Sequence, residues 1–198
     1  IALALAAAVG CIMLFYGPWW LVIVGVLIMI SALAYSAGPY PLSHHGLGDL
    51  AVIIFFGIIP VTLTCFLQTG SWKGLNIIIP ASLAVGLLAA NVLIVNNYRD
   101  MEDDAAVGKR TTVVIFGRRF MCIIYLLCGI VGMALMIPVW LRLEFWAYSV
   151  PAVFLVMHLN TWLMLRRSTG AGLNPVLGRT AVNLLVFSLL FLMSTLAV

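Results

Sequence analysis

Asn97, Asp100 and Asp104 follow one another at spacings of three and four residues, and Gly108 stands four further on. On a continuous helix this puts one amide and two carboxylates on a single face, with neighbouring Cβ atoms about 5–6 Å apart. Two carboxylates so placed can hold a hard divalent cation. Mg²⁺ takes one or two carboxylates and completes its shell with phosphate oxygens and water. Arg99, Lys109 and Arg110 flank the acids. Arginine brings bidentate contacts to phosphate and lysine a point charge, as a site for metal and diphosphate together would require. Asn96 adds a second amide at the membrane edge. Glu102 and Asp103 fall on other faces, where they are expected to meet Arg99 or water.

A second group lies in 35–49 and contains Tyr35, His44, His45 and Asp49. Tyrosine, histidine and aspartate near a membrane boundary could orient or deprotonate an aromatic substrate, histidine being the usual base near neutral pH. The segment equally suits a plain interfacial loop, with Tyr35 in an aromatic belt and Asp49 capping the next helix. Sequence does not separate His44 from His45. His158, inside an apolar run, is expected to be a hydrogen-bonded packing residue.

These groups sit in a chain that is otherwise nearly free of charge. Hydrophobic residues make up 65% of the 198 and charged residues 8%, with a mean hydropathy of +1.21; ordinary soluble domains run near 45–50% and 25%. Nine of the charged side chains fall between Arg99 and Arg119, although each costs about 2.5–3.5 kcal/mol at membrane depth. Lipid must be the solvent for the rest. The expected class is therefore all-α, a multi-pass transmembrane bundle.

A span needs about 20 apolar residues. Seven segments qualify: roughly 1–16, 19–37, 49–68, 74–97, 119–140, 146–165 and 178–198, separated by Gly, Pro and charged breaks. The first shows no basic leader and no cleavage-site pattern, so it reads as a helix. The loops 38–48, 98–118 and 166–177, with their flanks, carry Arg99, Lys109, Arg110, Arg118, Arg119, Arg166, Arg167 and Arg179, against Lys73 and Arg142 on the other side. That asymmetry predicts an integral protein of the cell (inner) membrane with the charged loops in the cytoplasm. The net charge of +4 is thus a topology signal, not a nucleic-acid one. Cys11, Cys65, Cys122 and Cys128 all lie in apolar runs and are expected as small buried hydrophobes. Trp19, Trp20, Trp72 and Trp146 mark segment ends, as interface anchors do.

The stretch Asn97-x-x-Asp100-x-x-x-Asp104 followed by Gly108-Lys109-Arg110-Thr111 resembles the second aspartate-rich motif of the UbiA superfamily of intramembrane prenyltransferases. With Asn96, Arg99, Val113 to Gly117, Gly38 with Pro41, Gly46 to Asp49 and Arg179-Thr180, the wording is most similar to its 1,4-dihydroxy-2-naphthoate polyprenyltransferase branch. The resemblance implies nine helices and two aspartate-rich motifs. The first motif has no counterpart here, so residues 1–198 are expected to form one UbiA-like domain lacking the first two helices. It further implies Mg²⁺-dependent transfer of a polyprenyl group from its diphosphate to dihydroxynaphthoate, with loss of carboxylate. Asp100 and Asp104 would hold the metal, Arg99, Lys109 and Arg110 would neutralise the diphosphate, and the tail would run between helices toward membrane lipid. Pro39 and Tyr40 stand where the hydroxybenzoate branch carries a lysine-containing loop, which counts against that acceptor. Homogentisate or a porphyrin are alternatives within the family. The CDP-alcohol phosphotransferase signature is missing, and a transporter would need more polar groups within the spans.

Overall fold

Each apolar run is helical, because a backbone crossing lipid satisfies its polar groups only in helices or closed barrels. The computed structural model describes residues 2–12 and 15–196. In chain order the helices are α1 (Ala2–Ile12), α2 (Leu21–Ser36), α3 (Gly48–Thr69), α4 (Leu75–Arg99), α5 (Met101–Ala106), α6 (Thr112–Leu135), α7 (Ser149–Arg167) and α8 (Leu173–Leu196). Among the described residues there is no β-strand, and one isolated bridge joins His45 to Arg110. Five stretches are long and apolar enough to cross a membrane: Gly48–Thr69, Leu75–Arg99, Thr112–Trp140, Phe145–Arg167 and Gly170–Leu196. The chain is an integral membrane protein, a multi-pass bundle of helices.

The expected seven spans become five of full length and two shorter helices, with 16 residues in α2 and 11 in α1. Ile1, Met13 and Leu14 of the expected span 1–16, and Ala197 and Val198 of 178–198, lie outside the described residues. Two boundaries also move. α6 begins at Thr112 rather than 119, because Thr111 caps it: its Oγ1 accepts from the Val114 amide at 3.4 Å. α8 begins at Leu173 rather than 178 and takes Pro175 into its first turn, where a missing N–H costs nothing.

Gly117 interrupts α6 with φ 81° and ψ 157°, a conformation that side chains strongly disfavour. The break separates the opening turn from the long apolar helix behind it. Arg118 can then reach back to the Tyr98 carbonyl at 3.1 Å and 3.0 Å, and to Glu102 at 2.5 Å and 2.6 Å. We expect Gly117→Ala to lower stability by roughly 1–3 kcal/mol, seen as a drop in the thermal midpoint of the detergent-solubilised protein.

α4 is the central helix, packed against α3, α6 and α8. Ser82, Gly86 and Ala90, spaced four residues apart, keep one of its faces narrow and buried. α3, which widens into a π-helical stretch over Ile53–Ile58, approaches that face most closely at Gly57. One core cluster gathers Ile94, Val95, Val113, Tyr125, Leu165 and Leu173, and a second gathers Leu88, Met136, Trp140, Val150, Phe154 and Phe187.

His158 does pack. Its Nε2–H donates to the Tyr125 carbonyl at 3.1 Å, and its ring stacks between Tyr125 and Phe154. Cys122 and Cys128 are buried as expected, whereas Cys65 is half-buried and Cys11 exposed. Trp20 and Trp72 meet around Phe66, where α3 ends and α2 begins.

Candidate active site

In an up-and-down bundle, the end of α2, the start of α3, the end of α4 and the start of α6 lie at the same end. There they enclose a cavity of about 330 Å³. Its wall combines both polar segments: Tyr35, Ser43, His44 and Asp49 from one, with Asn96, Asn97, Lys109 and Thr112 from the other. A backbone bond ties the segments together, since the Arg110 amide donates to the His44 carbonyl at 3.0 Å. Gly46, at φ 72°, turns the chain just before Gly48 and Asp49 enter α3.

The acids take a different arrangement from one unbroken helix. α4 ends at Arg99, and Asp100 is the hinge (φ −92°, ψ 11°) from which the short α5 starts. Helical hydrogen bonds still cross the hinge: Asp100 N–H donates to Asn96 O at 3.1 Å, and Asp104 N–H to Asp100 O at 2.8 Å. Gly108 is not on that face. It ends α5 in the left-handed conformation (φ 73°), with Lys109 N–H donating to Asp104 O and Gly108 N–H to Ala105 O, a Schellman cap. The cap folds Lys109 back onto Asp104, and Nζ meets Oδ1 at 3.0 Å.

Arg99 grips both oxygens of Asp100, at 2.6 Å and 2.8 Å, and also donates to Asn96 Oδ1 at 3.1 Å and Asn174 Oδ1 at 3.2 Å. The guanidinium holds the Asp100 carboxyl below its ordinary range against a smaller opposing effect of burial. Glu102 pairs with Arg118 rather than Arg99, which lowers it in the same way. Asp103 is exposed. A carboxyl lowered in the folded state contributes stability that is present above its unfolded value near 3.9 and lost as pH falls through the folded one. The Arg99–Asp100 pair is therefore expected to hold unchanged from pH 5 to 8 and to fail only in stronger acid. At about a third exposed it is worth ~0.2–1 kcal/mol. Thermal midpoints measured against pH should show a small acid decline that Asp100→Asn removes.

Asp104 is the more confined acid, 8% exposed, and its Oδ2 is buried with no partner. Among the described residues no three His, Cys, Asp or Glu side chains converge on one metal position. Asp100 and Asp104 are four residues apart, with both Asp100 oxygens engaged by Arg99, and Mg²⁺ uses one or two carboxylates when phosphate oxygens fill the remaining positions. The orphaned Oδ2 leaves a lone pair for such a cation. The residues fit the group.

The remaining sequence candidates divide cleanly. His44 lines the cavity, while His45 is turned away, its Nδ1–H donating to Pro41 O at 2.8 Å and its ring stacked on Tyr40. Asp49 is in the first turn of α3 and does not cap it; its Oδ2 accepts from the Thr112 hydroxyl. Tyr35 stands between the polar cavity and an adjoining apolar one of about 470 Å³, walled by Ile28, Ala32, Val52 and Phe55. Asp100, Asp104, Arg99, Arg110 and His45 are not on the polar cavity's wall. Sequence reasoning left Thr112, Arg118 and Asn174 without roles. Thr112 directly follows the Gly108–Thr111 motif, which is the local signal that could have marked it. Arg118 was read only as a topology charge, and nothing local marks Asn174.

A family model described as the UbiA prenyltransferase family matches residues 1–177. Over 93 residues the chain is 45% identical to the 1,4-dihydroxy-2-naphthoate octaprenyltransferase of Haemophilus influenzae, covering 47% of this chain and 30% of that protein. The Escherichia coli protein of the same description is 35% identical over 176 residues, or 86% of this chain and 56% of that one. The 2-carboxy-1,4-naphthoquinone phytyltransferase of a Synechocystis strain is 31% identical over 97 residues, 49% of this chain and 31% of its own. The chain thus spans about half the length of these relatives, or less. No solved structure matches it.

Proposed function

This chain belongs to the UbiA prenyltransferase family, and from that membership we propose that it transfers a polyprenyl group from polyprenyl diphosphate to 1,4-dihydroxy-2-naphthoate. The transfer displaces the ring carboxylate and releases diphosphate. The observation that carries the reading is the cavity that gathers amides and a lysine from one polar segment with Tyr35, His44 and Asp49 from the other. A diphosphate needs cations and amide donors, and an aromatic diol needs acceptors and a flat wall. The cavity offers both within one enclosure.

Asn96, Asn97 and Lys109 would bind the diphosphate, and Arg99, held in place by Asn96 and Asn174, would add bidentate charge beside it. Asp100 and Asp104 would hold Mg²⁺, which when bound supplies Lewis-acid stabilisation of the departing diphosphate. Lys109 is well suited to leaving-group charge because the Schellman cap fixes its backbone on α5. Preorganised charge where negative charge develops is the expected large catalytic contribution. Tyr35 would orient the aromatic ring at the junction with the apolar cavity, which suits the first isoprene units of the tail. Seating the reacting allylic carbon beside the apolar cavity would keep water from it.

The charge asymmetry between loops supports a place in the cell (inner) membrane with this end of the bundle facing the cytoplasm. The test is turnover by the protein reconstituted in lipid vesicles, with and without Mg²⁺. Prenylated naphthoquinol that EDTA abolishes is the expected product. Turnover with hydroxybenzoate alone would correct the acceptor, and no product with any aromatic acceptor would overturn the reading.

A further inference from the structure

Thr112 is the first residue of α6, Asp49 the second of α3, and 63 positions separate them. Their contact nevertheless ties the start of α6 to the start of α3 at the cavity end of the bundle. The Thr112 hydroxyl donates to Asp49 Oδ2, while Asp49 Oδ1 is buried and has no partner. A carboxylate oxygen shut off from water without a donor is an unusual thing to keep in a fold, since buried acceptors are almost always satisfied. Asp49 also lines the 330 Å³ cavity. A donor brought by a ligand is what the second oxygen lacks. Rotation about the terminal Cβ–Cγ bond has a broad two-fold profile, so either oxygen can keep Thr112 while the other turns to the cavity.

We propose that Asp49 is the proton acceptor for the hydroxyl of the aromatic co-substrate, with Thr112 as the residue that positions it. The assignment rests on the prenyl-transfer reading. The acceptor's O–H bond breaks and its proton passes to Asp49. The oxygen's electron pair enters the ring, and the carboxylate-bearing ring carbon forms a bond to the allylic carbon. The allylic C–O bond breaks with its pair leaving on the diphosphate. Loss of carbon dioxide from the now tetrahedral ring carbon returns a pair to the oxygen, which takes the proton back from Asp49. The carboxylate ends as it began.

Other groups on the wall fit this task less well. His44 stands on the turn Leu42–His44 and is anchored through its backbone carbonyl, whereas Asp49 stands on a helix and its carboxylate is tied to a second helix. Tyr35 carries its own hydroxyl proton at neutral pH, and Lys109 is engaged by Asp104. Asn96 and Asn97 cannot take a proton. A base must be held at the proton it abstracts, and the Thr112 hydroxyl holds the Asp49 carboxylate in that way.

The experiment compares wild type, Asp49→Asn, Thr112→Val and Thr112→Ser in vesicles, with a series of naphthol acceptors of graded hydroxyl acidity. Binding of polyprenyl diphosphate is measured separately. Asp49→Asn should lower kcat by about 10²–10⁴-fold and leave diphosphate binding unchanged. The loss should shrink for acceptors already ionised at the assay pH. Thr112→Val should give a smaller loss that Thr112→Ser restores, and it carries the same test if Asp49→Asn does not accumulate. Equal kcat in wild type and Asp49→Asn would overturn the assignment, as would a loss independent of acceptor acidity or one shared by diphosphate binding. Wild-type protein without prenyl transfer to any acceptor would instead overturn the function itself, and the assignment with it.

Discussion

Asp104→Asn should lower prenyl transfer by about 10²–10³-fold, the usual cost of removing one charge-stabilising group from a preorganised site, while the bundle stays folded. The substitution keeps the side chain's shape and leaves the backbone carbonyl that accepts from Lys109 untouched. What it removes is one negative charge, and on the proposed function that charge has two uses. It fixes Lys109 at 3.0 Å, and its buried, unpartnered Oδ2 is free for a cation. Neutral asparagine weakens both. The Mg²⁺ concentration needed for half-maximal turnover should therefore rise together with the fall in rate. Lys109→Gln separates the two uses: it should lower the rate while changing the Mg²⁺ requirement less. If Asp104→Asn lowered the melting temperature and the activity in proportion, with an unchanged Mg²⁺ requirement, the pair would be structural.

Gly57→Leu should prevent the folded protein from accumulating, and Gly57→Ala should already cost about 1–3 kcal/mol or more, as overpacking does. A Cβ at Gly57 would stand 2.5 Å from both the Gly86 Cα and the Ser82 carbonyl oxygen. Those atoms are backbone, so no side chain can swing aside, and α3 must move off α4. Gly86 shows the same contact from the other side, its Cβ falling 2.7 Å from the Ile53 carbonyl. Small residues that let backbones touch are how helices pack where lipid removes the hydrophobic drive between them. Function should suffer with stability, because α3 carries Asp49 and α4 carries Asn96 and Asn97. Gly25→Ala, with nothing within 4 Å of the added methyl, is the control and should be neutral. Thermal unfolding in detergent reads all three, and a neutral Gly57→Ala would show that the crossing is slacker than drawn.

Composition and the lengths of apolar runs determined that this chain is a helical membrane protein, because a backbone in lipid has almost no other choice. The types and spacing of Asn97, Asp100, Asp104 and Lys109 pointed to the region of the candidate site, since charge at a membrane boundary is too costly to gather idly. Local chemistry also set the turn at Gly108, though reading Asp100 to Gly108 as one helix missed it; only a residue tolerant of positive φ ends α5 this way. The tertiary structure decided the rest. It gave Glu102 to Arg118 rather than Arg99, because the break at Gly117 decides where that arginine reaches. It faced His44 to the cavity and laid His45 on Tyr40, a distinction one residue apart that needs the fold of the loop. It joined Thr112 to Asp49 across 63 residues. Spacing along a chain reports which groups share a face, while which groups share a cavity depends on the crossing of α3 and α4, and that crossing rests on the absence of side chains at Gly57 and Gly86.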